Sequence, residues 1–395
     1  MALWKKNNTE NSLTQLVNEF TVGNDYLLDT HILPFDIQAS KVHAQALEKM
    51  NIVSKDEREQ LQATLDEILT LHHQGKFHIS IEQEDCHTAI EEFLTKKLGT
   101  IGQKIHTSRS RNDQVLTAVR LWQKDSLSNL KQLVEQLIQS FEDFSQHHKN
   151  IEIPGYTHTQ RAMPTTLENW ALSYKEMLTQ TLPIIEAALK NLNASPLGSA
   201  AGFGTMFPYP RDWVAKSLGF EKALEIVNTA QNTRTKIDLD FCYALLRIGK
   251  VLGHFASEMI LYTTAEFNFL SIHPDLTTGS SIMPQKRNLD PAEIMRAKCS
   301  ELFGQFCTVQ QLDVGLCSGY HRDFQIGKTA LIEMFKTVSK SLLMAQAMIE
   351  NTQPNTEAIA KACTPELYAT NKVNKLVLAG MSFREAYQKV KSELF

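Results

Sequence analysis

Apolar residues recur along this chain at helical spacing, over stretches with no helix breaker. From Gln103 to Ile153 there is neither glycine nor proline. Within that window Leu127, Leu130, Val134, Leu137, Phe141 and Phe144 follow one another at spacings of 3, 4, 3, 4 and 3. This heptad seam predicts one very long helix. A helix of ~40 residues would span ~60 Å and needs partner helices along its length. Helical patterns also cover 165–193, 236–272, 290–315 and 328–350, with Pro183 expected to kink or interrupt 165–193. Ser54 and Glu57 have the form of a capping box ahead of a helix at 55–74. Ser382 and Glu385 repeat it before the last helix, with Gly380 ending the one before. Strand signals are few, and 193–211, rich in glycine and proline, reads as an ordered loop. The expectation is an all-α protein. A long central helical bundle at 107–350 is flanked by two small helical domains, at 1–106 and 351–395. Its helices carry more apolar seam than one chain covers, which predicts a homo-oligomer.

Composition narrows the class. An apolar fraction of 43% over 395 residues suits a globular protein with a sizeable core. The formal net charge of -4 gives no basic bias toward nucleic acid or an anionic membrane. The six cysteines are scattered without a C-x-x-C pair, so neither a zinc site nor a disulfide framework is indicated. A reducing, cytoplasmic compartment is the simplest expectation. The opening MALWKKNNTENS has no apolar core of signal-peptide length. The most apolar long stretch, 251–272, contains His254, Glu258 and Glu266, which argues against a membrane span.

Five polar clusters lie between the helical patterns. They are Glu84–Thr88, His106–Gln114, Gly155–Arg161, Thr277–Glu293 and Ser318–Lys328. Each alone has a plain structural reading. Ser110 can cap the long helix with Asp113 at its dipole, His158 can be a bonded histidine at a helix end, and Lys286 and Arg287 can be solvated charges. Five together, all cationic or amide-rich and all at helix ends, suggest an anionic substrate. Arg109, Arg111, Lys286 and Lys328 can meet carboxylates. Asn112, Thr157, Asn288 and Gln325 can orient polar groups, and histidine can exchange protons near neutral pH. There is no phosphate loop, GSAAGFG lacks the dinucleotide spacing, and no H-E-x-x-H occurs. Neither a cofactor nor a metal is expected.

GSSIMPQKRN at 279–288 resembles the signature of the fumarase/aspartase superfamily of lyases. HTSRSRNDQ, PGYTHTQRAMP and YHRDFQIGK resemble its argininosuccinate lyase branch, as does the opening MALW. The resemblance runs from the N-terminus to FREAYQKV near the end. It implies elimination across a substituted succinate with release of fumarate, arginine being the leaving group. It implies a homotetramer with a twenty-helix core, in which three motif regions from three subunits meet at each site. Ser280, six residues before Lys286, would be the general base, in preference to Ser281. Lys286 and Asn288 would serve the carboxylate that gains charge. His158, paired with Glu293, would assist proton delivery to the leaving nitrogen. Arg111, Asn112, Thr157, Tyr320, Gln325 and Lys328 would hold the rest of the substrate, and Asp85 and His87 would line the site. The 277–293 loop would close as a lid.

The sequence departs from that family in places. Lys5–Asn8 follow MALW where Gly-Gly-Arg-Phe is usual, and a substrate-contacting serine is not evident in FTVGNDYLLD, where Gly23 or Asp25 sits nearby. Ser108 stands for a glycine, Leu289 for a proline, and Phe395 ends the chain a few dozen residues earlier than is typical. Two rival expectations remain: a sister lyase acting on adenylosuccinate or aspartate, and a non-catalytic crystallin-like relative.

Overall fold

The computed structural model describes residues 12–394, so the readings of MALW and of Lys5–Asn8 lie outside the described residues. The chain is built from helices, with strands only as short two-stranded pairs. The expected long helix runs Arg111–His147, and its six seam residues are all buried. Ser54 and Glu57 form the capping box, with the Glu57 N–H donating to Ser54 Oγ at 3.2 Å and the Ser54 N–H to Glu57 Oε2 at 2.8 Å. Ser382 and Glu385 make the same reciprocal bonds ahead of Phe383–Leu394. Ahead of them Ala369–Leu378 stops before Gly380, whose φ of +100° favours glycine. The interruption at Pro183 separates Leu167–Thr179 from Leu182–Asn191.

One helix is shorter than its pattern. The 236–272 periodicity is realised as Arg234–Tyr262. There the Thr263 and Thr264 hydroxyls donate back to the carbonyls of Met259 and Leu261, and Asn268 turns the chain at φ +48°. The apolar run continues as an aromatic cluster of Tyr262, Phe267 and Phe269, and then as the strand Leu270–Ile272. A short apolar run of this kind has no period that separates helix from strand.

Two compact units emerge. Among the described residues the first comprises 12–129, Pro183–Leu245 and Phe303–Lys336. Its core joins Ala39 and Ala46 of the helix Leu33–Lys49 to Leu121, Leu197, Tyr209, Val214 and Phe220. Gly102 packs so tightly here that a Cβ would lie 2.3 Å from the Leu94 carbonyl oxygen and 2.6 Å from the Thr95 nitrogen. Backbone cannot yield as a flexible side chain does. Gly102→Ala is therefore expected to destabilise the protein by ~1–3 kcal/mol, in the range of overpacked cores. Urea unfolding measures this, and an unchanged midpoint counts against it.

Among the described residues the second unit comprises Leu130–Leu182, Leu246–Leu302 and 337–394. Phe141 stacks on Tyr174 at 5.3 Å and meets Phe255 edge-on at 5.2 Å. Glu258 accepts from Trp170 Nε1 at 2.7 Å and Tyr174 Oη at 2.6 Å, which satisfies the polar ends of these rings. An antiparallel hairpin, Glu152–Thr157 with Gln160–Thr166, follows the long helix, with a register shift between Pro154 and Tyr156.

Candidate active site

In the first unit one cleft of about 210 Å³ is lined by Asp85, His87, Arg111, Asn112, Tyr320, Gln325 and Lys328. The seven residues of this unit that the resemblance implies for the site thus line one place, and Arg109 does not. Local structure explains how each gets there. Asp85 caps the helix Cys86–Leu98, its Oδ1 accepting the Thr88 N–H at 2.8 Å. Its Oδ2 accepts from Arg111 Nη1 at 3.0 Å, which ties the start of the long helix to that cap. The Arg111 guanidinium also donates to the Thr88 hydroxyl. Gln325 opens the helix Gln325–Glu350 and donates to the carbonyls of Thr21 and Val22 at 3.0 and 3.2 Å.

The run HTSRSRNDQ divides its members between scaffold and cleft. Thr107 lends its carbonyl to His43 Nε2 at 3.1 Å. Arg109, grouped by sequence with the carboxylate binders, is buried and donates to Ser40 Oγ at 2.9 Å. The Ser110 N–H donates to Asp113 Oδ1 at 2.9 Å, and Ser110 Oγ accepts the Asn112 N–H, so the capping reading of Ser110 holds. Asp113 does more than complement a dipole. Its Oδ2 accepts the N–H groups of Gly198 and Ala200 at 3.0 and 2.8 Å, which pins the 193–211 loop to the helix. Burial raises its pKa to about 6 against those backbone donors.

Beneath the cleft lies a buried ionic layer. Asp36 is fully buried and accepts from His87 Nδ1 at 2.6 Å and from Gln114 Nε2 at 2.9 and 3.0 Å. Burial disfavours charge on both Asp36 and His87, and their mutual attraction outweighs it. The His87 pKa is therefore raised and that of Asp36 lowered. His87 Nε2 is buried with no hydrogen-bond partner. Lys328 Nζ lies 2.5 Å from Asp29 Oδ1 and 2.7 Å from Asp25 Oδ1. Burial opposes its charge, but the two carboxylates prevail and raise its pKa. Asp29, Cys86 and His87 bring donor atoms within 4.8 Å of one another, the right types for a cation. The cation that Asp29 holds is the Lys328 ammonium. Burial, with Asp29 and Asp36 nearby, raises the Cys86 thiol pKa far above its usual range, unlike that of a thiolate ligand.

Sequence reasoning did not assign Asp25, Glu84, Arg234 and Arg322 to a site, and all four line the same cleft. Glu84 and Arg322 sit inside quoted clusters and pair at 3.7 Å. Arg234 has no local motif. Its guanidinium lies 5.3 Å from the ring centres of both Tyr320 and Phe324 and donates to Gln231 Oε1 at 3.2 Å. A buried cation over aromatic faces is a signal only three-dimensional structure reveals.

The remaining candidates belong to the second unit. Thr157 and His158 stand exposed at the tip of the hairpin, not at a helix end. Thr157 pairs with Gln160, and the two turn residues His158 and Thr159 have φ of +52° and +58°. Two successive left-handed residues match the tight turn that fits the strand twist, and the β-branched Thr159 is strained there. The loop bearing Ser280 is closed at its base by pairing of Thr278 with Asn288 and Gly279 with Arg287. Thr278 also donates to Asp290 at the start of the helix Asp290–Gln311. Ser280 Oγ accepts the N–H groups of Ile282 and Met283 at 3.4 and 3.1 Å. Lys286 stands exposed on the same loop and Glu293 exposed on the helix that follows it. Among the described residues no hydrogen bond or ion pair joins His158 to Glu293.

Both the cleft of the first unit and the serine-bearing loop of the second belong to a chain that matches known proteins over most of its length. The sequence model of a lyase family matches residues 9–304. The argininosuccinate lyase of Thermotoga neapolitana is 39% identical over 388 residues, which cover 98% of this chain and 97% of that one. The argininosuccinate lyase of Phocaeicola vulgatus is 36% identical over 388 residues, covering 98% and 86%. A class II fumarase from Schistosoma mansoni has the same fold, with a TM-score of 0.82 at 15% identity over 95% of this chain and 87% of its own. The mostly α-helical, fumarase/aspartase-like architecture and the near full-length identity lead to one assignment: the chain belongs to the argininosuccinate lyase family.

Proposed function

We propose that this protein cleaves argininosuccinate to arginine and fumarate. The observation that carries the reading is the single cleft to which Arg111, Asn112, Tyr320, Gln325 and Lys328 all contribute. Relatives at 39% and 36% identity that are named argininosuccinate lyase support it. A base must remove a proton from the carbon beside one succinate carboxylate, leaving a doubly charged aci-carboxylate. The C–N bond to the guanidinium then breaks, the nitrogen takes a proton, and the carbon double bond of fumarate forms. We assign the first step to Ser280, whose Oγ already accepts two backbone N–H groups, the donors an alkoxide needs. Lys286 and Asn288 stabilise the aci-carboxylate, Thr157 holds substrate with the cleft residues, and His158 with Glu293 delivers the second proton. The 277–293 loop acts as the lid, and Ile282, largely exposed on it, is ready to be covered on closure.

The acting form is a homotetramer. Tyr243, Ile294, Phe303 and Leu343 stand exposed on the long helices, as seam residues awaiting partner helices do. The three-part division at 106 and 350 and a cytoplasmic location belong to the same reading. No helix among the described residues is long and apolar enough to cross a membrane.

The test is fumarate release followed by ultraviolet absorbance, with adenylosuccinate and aspartate as parallel substrates and mass checked by sedimentation velocity. Turnover of argininosuccinate alone is expected. A folded tetramer that releases no fumarate from it defeats the proposal.

A further inference from the structure

A second cavity, of about 560 Å³, lies wholly within the second unit and is lined by none of the residues assigned to the reaction. The hairpin supplies one wall. Its first three pairs, continued, would set Tyr156 opposite Ala162, but the register shift before Tyr156 sets it opposite Arg161. Directly paired residues share a face of a sheet. A ring and a guanidinium therefore stand side by side, and both line the cavity. Phe267 supplies the second wall, its ring 5.4 Å from that of Tyr156. The Asn355 N–H donates to the Phe269 carbonyl at 2.8 Å, which fastens this wall to the third, the helix Thr356–Ala362.

Four charged side chains line the cavity. Glu357 and Lys361 meet at 2.6 Å and cancel one another. Among the described residues Arg161 has no hydrogen bond and no carboxylate within 4 Å, and Glu366 acts on it only from beyond that distance. Glu266 likewise has no cation within 4 Å among the described residues. One uncommitted cation, one uncommitted anion and two ring faces remain. A zwitterionic head with a planar end complements all three.

We propose that this cavity binds a free α-amino acid with a planar side chain. Its carboxylate meets Arg161, its ammonium meets Glu266, and its side chain lies against Tyr156 and Phe267. An aromatic ring and a guanidinium share the planar chemistry that such a wall accepts. The site goes beyond the elimination reaction and stands or falls without it.

Calorimetric titration of the purified full chain with L-phenylalanine and with L-arginine tests this, and the two arms tell a ring from a guanidinium. At least one should bind with Kd at or below about 1 mM, the range for ligands of about a dozen non-hydrogen atoms. Analogues of that ligand lacking the amino or the carboxyl group should bind at least about fivefold more weakly. Arg161→Met should weaken the intact amino acid by a similar factor, less than a buried charged hydrogen bond would give because both groups meet water. Glu266→Gln should weaken the amino acid yet leave its desamino analogue unchanged, a selectivity that a merely structural Glu266 would not produce. Thermal melting checks that both variants fold. Absence of binding by either amino acid at about 10 mM overturns the proposal, and that comparison needs no variant. Binding that Arg161→Met leaves unchanged belongs elsewhere on the protein and overturns it too.

Discussion

Replacing Ser280 with alanine is expected to lower kcat about 10²- to 10⁴-fold, the usual worth of a positioned general base, with KM little changed. The reason lies in the loop. Ser280 Oγ accepts the N–H groups of Ile282 and Met283, and the Lys286 N–H bonds the Met283 carbonyl at 3.0 Å, closing the same turn. These donors hold negative charge on oxygen better than they hold a neutral hydroxyl, so the turn lowers the cost of an alkoxide. The substitution removes the oxygen and leaves two N–H groups on an exposed loop, where water can satisfy them. Assembly should be unaffected, and sedimentation velocity checks that while fumarate absorbance gives kcat. A kcat within about tenfold of wild type would move the base to Ser281.

Asp36→Asn should be the most destabilising single change near the cleft, at ~3–5 kcal/mol, because removing one partner of a buried ion pair leaves the other charge uncompensated. Asp36 accepts from His87, from Gln114 and, at 3.3 Å, from Ser40. The pH dependence has a definite sign. The raised folded-state pKa of His87 makes its contribution complete below its unfolded value near 6.5, and that contribution is lost as pH rises through the raised value. The lowered folded-state pKa of Asp36 makes its contribution present above about 3.8 and lost as pH falls through the lowered value. Wild type and variant should therefore differ most between about pH 4 and 6.5 and less at alkaline pH, where the His87 share is lost and the Gln114 and Arg109 interactions remain. Urea unfolding at pH 5.5 and pH 9 measures this. An equal difference at both pH values, or one below about 1 kcal/mol, would mean that the pair does not carry the layer.

What the sequence reveals about this fold tracks the range of the forces involved. The Leu127–Phe144 seam, the Ser54 and Ser382 caps and the break at Pro183 are local or periodic, and each appears where its residues predict it. The hairpin at 152–166 escapes such reading. Pro154, Gly155 and Pro164 look like breakers, and only the pairing of the two strands and the register shift at Gly155 give them a place. The left-handed His158 and Thr159 are imposed by that pairing rather than preferred by the residues. Within the cleft, Arg111 and Lys328 announce themselves in motifs. Arg234 does not, because its neighbours Tyr320 and Phe324 are distant in sequence. Arg109 misleads for the converse reason, since a guanidinium in a polar run looks available until its partner on another helix is seen.

The division of HTSRSRNDQ has a consequence for how such a protein changes over generations. Arg109, Asp113 and Gln114 are fastened to other parts of the first unit. Arg111 and Asn112, interleaved with them, line the cleft. Mutation at the fastened positions is filtered by folding before selection can act on chemistry. Mutation at Asn112 is filtered more by which molecule is bound, while Arg111, tied to Asp85 and Thr88 as well as lining the cleft, answers to both. A descendant lineage can thus drift toward a new substituted succinate along a few positions while inheriting the scaffold unaltered.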